Sequence, residues 1–112
     1  MASSGDNARR HRRQTVRILV DYQHPGGVRC DYATTLGAGG LFMECEEPLP
    51  RGTIVKLRFR LPHSDDLHSL EGRVSWVRDA VVGDRTLAPG MGIQFTSPAS
   101  TAHLARELDH LE

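Results

Sequence analysis

Residues 9–20, RRHRRQTVRILV, hold five arginines and a histidine within nine positions and then turn apolar. Guanidinium groups fork onto planar acceptors, clamp phosphates and stack on rings, so such a run suits a compact anion. A solvated chain start is the ordinary alternative, and the surface offered by the rest of the chain decides between them. The cluster Gly37-Ala38-Gly39-Gly40 invites a second anion-binding reading, because glycines let backbone amides close on phosphate. Its continuation excludes a dinucleotide fingerprint. Phe42 stands at the sixth position, where glycine is needed, and a β-rich run follows in place of a helix whose N-terminus would receive the phosphate. A tight turn or a bulge is expected there instead.

The histidines give no familiar metal spacing. His63 and His68 flank Asp65 and Asp66, and His103 and His110 lie two turns apart on a helical pattern, but neither set supplies three ligands. No metal, cofactor or catalytic residue is therefore expected, and no arrangement of serine, cysteine or paired carboxylates argues for an enzyme. Cys30 and Cys45 fall in strand-like segments and are expected to be reduced core residues, not a disulfide.

A chain of 112 residues closes one modest core. Its formal net charge is zero but uneven: residues 1–17 carry +4 and the remainder −4. Duplex DNA binders usually spread a basic excess over the folded domain, so a small anionic ligand fits better and no specific nucleic acid is expected. No apolar run approaches the ~20 residues of a membrane span, and MASSGDNARR lacks the apolar stretch of a secretory signal. A cytoplasmic chain with no membrane insertion is the expectation.

The elements that must position these groups are short strands. Arg17 to Tyr22, Val28 to Thr35, Leu41 to Cys45, residues 53–61, residues 70–78 and residues 89–95 read as strands, separated by Gly, Pro, Asn or Asp breakers. In TIVKLRFRL, Leu57, Phe59 and Leu61 share one face against Lys56, Arg58 and Arg60. HSDDLHS reads as a loop, and Val74 and Trp76 are expected on one face of the fifth strand. Six such strands point to an antiparallel barrel or sandwich. Ser97 as N-cap with Pro98 at the first helical position, or Ser100 as a later cap, and Leu104, Leu108 and Leu111 at i, i+4, i+7 predict a closing amphipathic helix.

RRQTVRILV, then TLGAGGLF, GRVSWV and GMGIQF in order, resemble the PilZ domain, the bacterial receptor module for cyclic di-GMP, over roughly residues 9–97. The whole pattern is similar to divergent PilZ proteins present in multiple copies in deltaproteobacteria. The resemblance implies a six-stranded antiparallel β-barrel with a C-terminal α-helix and a flexible basic N-terminal arm: residues 1–8 a disordered start, 9–97 the barrel with its arginine arm, 98–112 the helix. It implies that Arg13 and Arg17 are the RxxxR pair, with Arg12 the frequent extra arginine before it. Arg9 and Arg13 also satisfy the spacing, and Arg10 is a weaker candidate. The second motif, [DN]xSxxG, is degraded: Thr35 stands for Asp or Asn, Gly37 replaces Ser, and Gly40 is kept. Trp76 and, more weakly, Arg78 lie on a strand that the resemblance puts near the ligand edge.

Cyclic di-GMP is the ligand so implied, a compact dianion with two guanines that arginines can clamp, stack on or pair with. A barrel of this kind signals through a partner protein or an oligomer such as a homodimer. The alternative implied by the degraded motif is an adaptor that binds a protein partner without nucleotide, for example in motility or type IV pilus function.

Overall fold

The computed structural model of the chain describes residues 13–79 and 88–110. Six antiparallel strands form a closed barrel: β1 (Arg13–His24), β2 (Gly27–Gly37), β3 (Gly40–Glu44), β4 (Ile54–Arg60), β5 (Leu67–Arg78) and β6 (Gly90–Phe95). Their order around the wall is β1-β2-β3-β6-β5-β4, and β1 closes the ring on β4 through Asp21↔Arg58, Tyr22↔Leu57 and Gln23↔Lys56. Helix α1 (Pro98–His110) follows.

Period-two alternation fills the interior. β4 turns Val55, Leu57 and Phe59 inward and leaves Ile54, Lys56, Arg58 and Arg60 in solvent, and β6 contributes Met91, Ile93 and Phe95 to the same core. Val20, Tyr22, Leu36, Met43 and Val74 complete its fully buried centre. The amide of Thr101 donates to the Ser97 carbonyl at 3.0 Å, the first bond of the helix, with Pro98 where its missing N–H costs nothing. Leu104 and Leu108 join the barrel core from α1; Leu111 lies outside the described residues.

Four expectations change. β1 starts at Arg13, not near Arg17, because its first residues find backbone partners on the far end of β2. The segment read as a loop ends early, since Leu67, His68 and Ser69 already pair with Arg60, Phe59 and Arg58. Cys30 is exposed on β2; the buried thiol is Cys45, just past β3. Both are free, and burial pushes the Cys45 thiol up to about 11. Finally, Val74 and Trp76 do not share a face. A bulge between them adds Ser75 to β5, so Val74 opposite Ile93 points into the core while Trp76 opposite Gly92 stands on the outside.

Candidate functional site

The glycine cluster is a hairpin. Ala38 and Gly39 form the turn between β2 and β3, and Gly37 pairs with Gly40 across it. The first residues of β1 pair with the same end of β2: Arg13 with Gly37, Gln14 with Leu36 and Thr15 with Thr35. The start of the arginine segment and the degraded motif are therefore adjacent strands at one rim. A bulge after Thr15 then carries the chain through Val16 and Arg17 before pairing resumes at Ile18↔Ala33. Arg17 is exposed, and its guanidinium lies over the Tyr32 ring, 4.1 Å from the centroid.

Directly paired residues share a face of a sheet, so the registers define a row across the outer wall: Thr15, Thr35, Phe42, Gly92, Trp76. The next row runs Leu19, Tyr32, Glu44, Gly90, Arg78. Phe42 is buried without belonging to the core, because it is covered from outside. Trp76 stacks on it with centroids 5.1 Å apart and planes 17° from parallel, and the Arg78 guanidinium sits 4.5 Å from its centroid. Arg78 is held in place by its Nε, which donates to the Ala88 carbonyl at 2.7 Å.

The glycines of GMGIQF explain how the aromatics lie flat. A Cβ on Gly92 would collide with Nε1 and Cε2 of Trp76, and one on Gly90 with Cζ of Phe42. Gly40 is closed on by backbone, since a Cβ there would strike the Ile93 carbonyl. The result is an arginine- and aromatic-bearing wall that begins at the Gly37–Gly40 hairpin. Trp76 is 39% exposed, so one part of that aromatic surface is free for stacking.

Around β1 the basic character continues. Arg17 also lines a groove of about 490 Å³ with Arg58 and Arg60, where Asp21 is the one carboxylate. A different cavity, about 650 Å³, is lined by Asp31, Glu44, Glu46 and Glu47 against Arg29, a field that repels a dianion. Arg29 there donates to the Glu47 carbonyl at 2.8 Å. Beside it the buried Tyr22 hydroxyl donates to Asp31 at 2.6 Å, and burial first, then that bond, raise the phenol above its usual range.

Of the residues singled out from sequence, Arg17, Thr35, Gly37, Gly40, Trp76 and Arg78 fall on or beside this wall, and the backbone of Arg13 joins them. Arg9, Arg10 and Arg12 lie outside the described residues. Sequence reasoning missed Tyr32, which holds Arg17, and the burial of Phe42 on the outer wall. It also missed a polar cluster on the other end of β5, where His68, His103 and Glu107 meet. The i, i+4 spacing of His103 and Glu107 was the available signal.

The family model of the PilZ domain matches residues 7–111. Among solved structures, the chain is similar to the Bacillus subtilis inhibitor of motility MotI/DgrA, at 16% identity and a TM-score of 0.70 over 89% of this chain and 48% of that one. It thus spans about half the length of that protein. It is similar to the PilZ domain with c-di-GMP of YcgR from Escherichia coli, at 15% identity and a TM-score of 0.70, over 93% of this chain and 91% of that one. The PilZ domain of CeSA from a cellulose-synthesizing bacterium gives 20% identity and a TM-score of 0.63 over 88% and 99% of the two chains. No curated protein matches the sequence. At these identities the likeness is one of fold. No helix among the described residues is long and apolar enough to cross a membrane.

Proposed function

The chain belongs to the PilZ domain family, and on that premise we propose that it is a cyclic di-GMP receptor that signals to a partner protein. The similar YcgR domain was solved with c-di-GMP. The observation that carries the proposal is the register at one rim, Arg13 opposite Gly37 and Thr15 opposite Thr35, which joins the arginine segment to the hairpin of the second motif. Arg13 and Arg17 clamp the phosphates or the guanine edges, helped by Arg12. Thr35, Gly37 and Gly40 shape the floor, and Trp76 offers a face for stacking at the side of the wall. Arg17 is held over Tyr32 by a contact worth ~0.5–1 kcal/mol at an exposed site, so part of the ordering cost is met before ligand arrives.

One observation favours the adaptor reading as the alternative. Gly37 has no side chain to offer where the family motif has serine, and Thr35 offers a hydroxyl in place of a carboxylate or amide. Losing both hydrogen bonds at ~1 kcal/mol each weakens binding about thirtyfold, which leaves a receptor of reduced affinity or none. Calorimetric titration of the purified chain with cyclic di-GMP, with GTP and cyclic di-AMP as controls, separates the readings. A receptor gives saturable heat with cyclic di-GMP alone and a raised melting temperature. An adaptor gives neither, and the proposal of a nucleotide receptor then falls.

A further inference from the structure

His68, His103 and Glu107 come together from two elements far apart in sequence. His68 is on β5 with its side chain 1% exposed, and Glu107 Oε1 lies 2.9 Å from its Nε2. The His103 ring is tilted against the His68 ring at a centroid distance of 4.9 Å, and one ligating atom from each of the three residues lies within 4.8 Å of the other two. Behind His68 the Phe59 ring stacks at 5.7 Å, fixing the imidazole from the core side. Ser64 Oγ donates to Glu107 Oε1 at 3.2 Å, and Asp66 Oδ2 sits 3.6 Å from His103 Nε2, so both movable ligands have an outer support.

We infer that these three side chains form a binding site for a zinc-class divalent cation that ties α1 to the barrel. Two imidazoles and a carboxylate are a donor set for zinc, and Zn–N bonds run ~2.0–2.1 Å. His68 Nε2 and Glu107 Oε1 already lie 2.9 Å apart, and no two of the three ligating atoms are more than 4.8 Å apart, so closure on a metal requires movement chiefly of His103. The His103 side chain is 46% exposed and free to make most of that movement. Two carboxylates, Glu107 and the neighbouring Asp66, flank the site, and Arg106 lines the same cavity as His103 and Glu107. A fourth position stays open on the solvent side for water or a partner's side chain.

The site is separate from the dinucleotide wall. His68 and Trp76 lie on one strand, seven ladder steps apart once the bulge at Ser75 is discounted, about 23 Å at the usual rise per residue. Zinc is therefore expected to stabilise the fold without competing for cyclic di-GMP.

The test is titration of the full chain, freed of metal by chelator, with zinc chloride, read by calorimetry and by melting temperature, and with cobalt chloride, read by visible absorption. The expected result is one zinc at micromolar concentration, a raised melting temperature, and the ligand-field bands of a low-coordinate cobalt site. His103→Ala, at a half-exposed position, is expected to stay folded and to weaken zinc binding by more than about tenfold, since even outer supports of metal sites are worth about 10–100-fold. Glu107→Gln is expected to remove the cobalt bands, a readout that does not depend on stability. Absence of zinc binding in the parent, or binding and bands unchanged in both variants, overturns the site and leaves the trio as an ion pair that clips the helix to the barrel.

Discussion

Gly92→Ala tests how the outer wall is built. The added methyl would fall within van der Waals contact of the Trp76 indole and lie 2.6 Å from its Cδ1, so something must move. The indole gives way more readily than the backbone, because Trp76 is 39% exposed and has solvent to swing into. Its departure ends the stack on Phe42, worth ~0.5–1.5 kcal/mol beyond area for an offset aromatic pair. It also uncovers part of Phe42, now only 6% exposed, and full burial of such a ring is worth ~1.5–3 kcal/mol. The expected loss is ~1–3 kcal/mol, the usual range for an added methyl in a packed site. At roughly 4 °C per kcal/mol, melting falls by about 4–12 °C. Trp76 is the only tryptophan, so its emission reports its own displacement with a shift to the red. A double-mutant cycle isolates the cause: with Trp76→Ala already present, Gly92→Ala is expected to cost under ~0.5 kcal/mol. Equal losses in both backgrounds would refute the collision with the indole, and so would a parent variant that melts and emits unchanged.

Arg17→Ala removes an exposed side chain whose folded-state contact is the Tyr32 ring, so stability changes by no more than ~1 kcal/mol while cyclic di-GMP affinity falls by ~1.5–3 kcal/mol, about 10- to 150-fold by calorimetry. Arg13→Ala is expected to lose as much and Arg9→Ala less, which fixes the register of the RxxxR pair. Thr35→Asp with Gly37→Ser is expected to tighten binding in the same assay, because the positive φ angles among the described residues are at Gly27, Gly52 and His63, and Gly37 does not require one. Alkylation followed by mass spectrometry at pH 8 is expected to mark the exposed Cys30 in the native protein and Cys45 only after unfolding, since a thiol pushed up to about 11 is thiolate in about one molecule per thousand there.

The strands were legible wherever one face alone is buried. Alternation in residues 53–61 put Leu57, Phe59 and Leu61 on one apolar face, and all three are buried; it did not single out Val55, which is buried as well. It failed at Trp76 for a physical reason: a bulge inserts one residue and inverts every side chain beyond it, and nothing in GRVSWV marks that insertion. The partner of Trp76 was readable only in hindsight, because the glycines at 90 and 92 look like turn residues until the ring that covers them is known. The order of motifs indicated which segments belong to the candidate site, and the register that sets Arg13 beside Gly37 is a tertiary fact that no local pattern carries. His68 shows the same limit. Its spacing to His63 suggested a loop pair, while its true companions sit about forty residues away on α1.

Amide and indole chemical shifts, followed as cyclic di-GMP is added to the isotope-labelled chain, locate the ligand on the barrel. The perturbed signals are expected to cluster on the rim and outer wall, at Thr15, Arg17, Tyr32, Thr35, Gly37, Gly40 and the Trp76 indole. Signals from α1 and from Arg29, Glu46 and Glu47 are predicted to stay in place. A spectrum unchanged at millimolar ligand, or one whose shifts gather on the helix or the acidic cavity, contradicts a receptor that binds there.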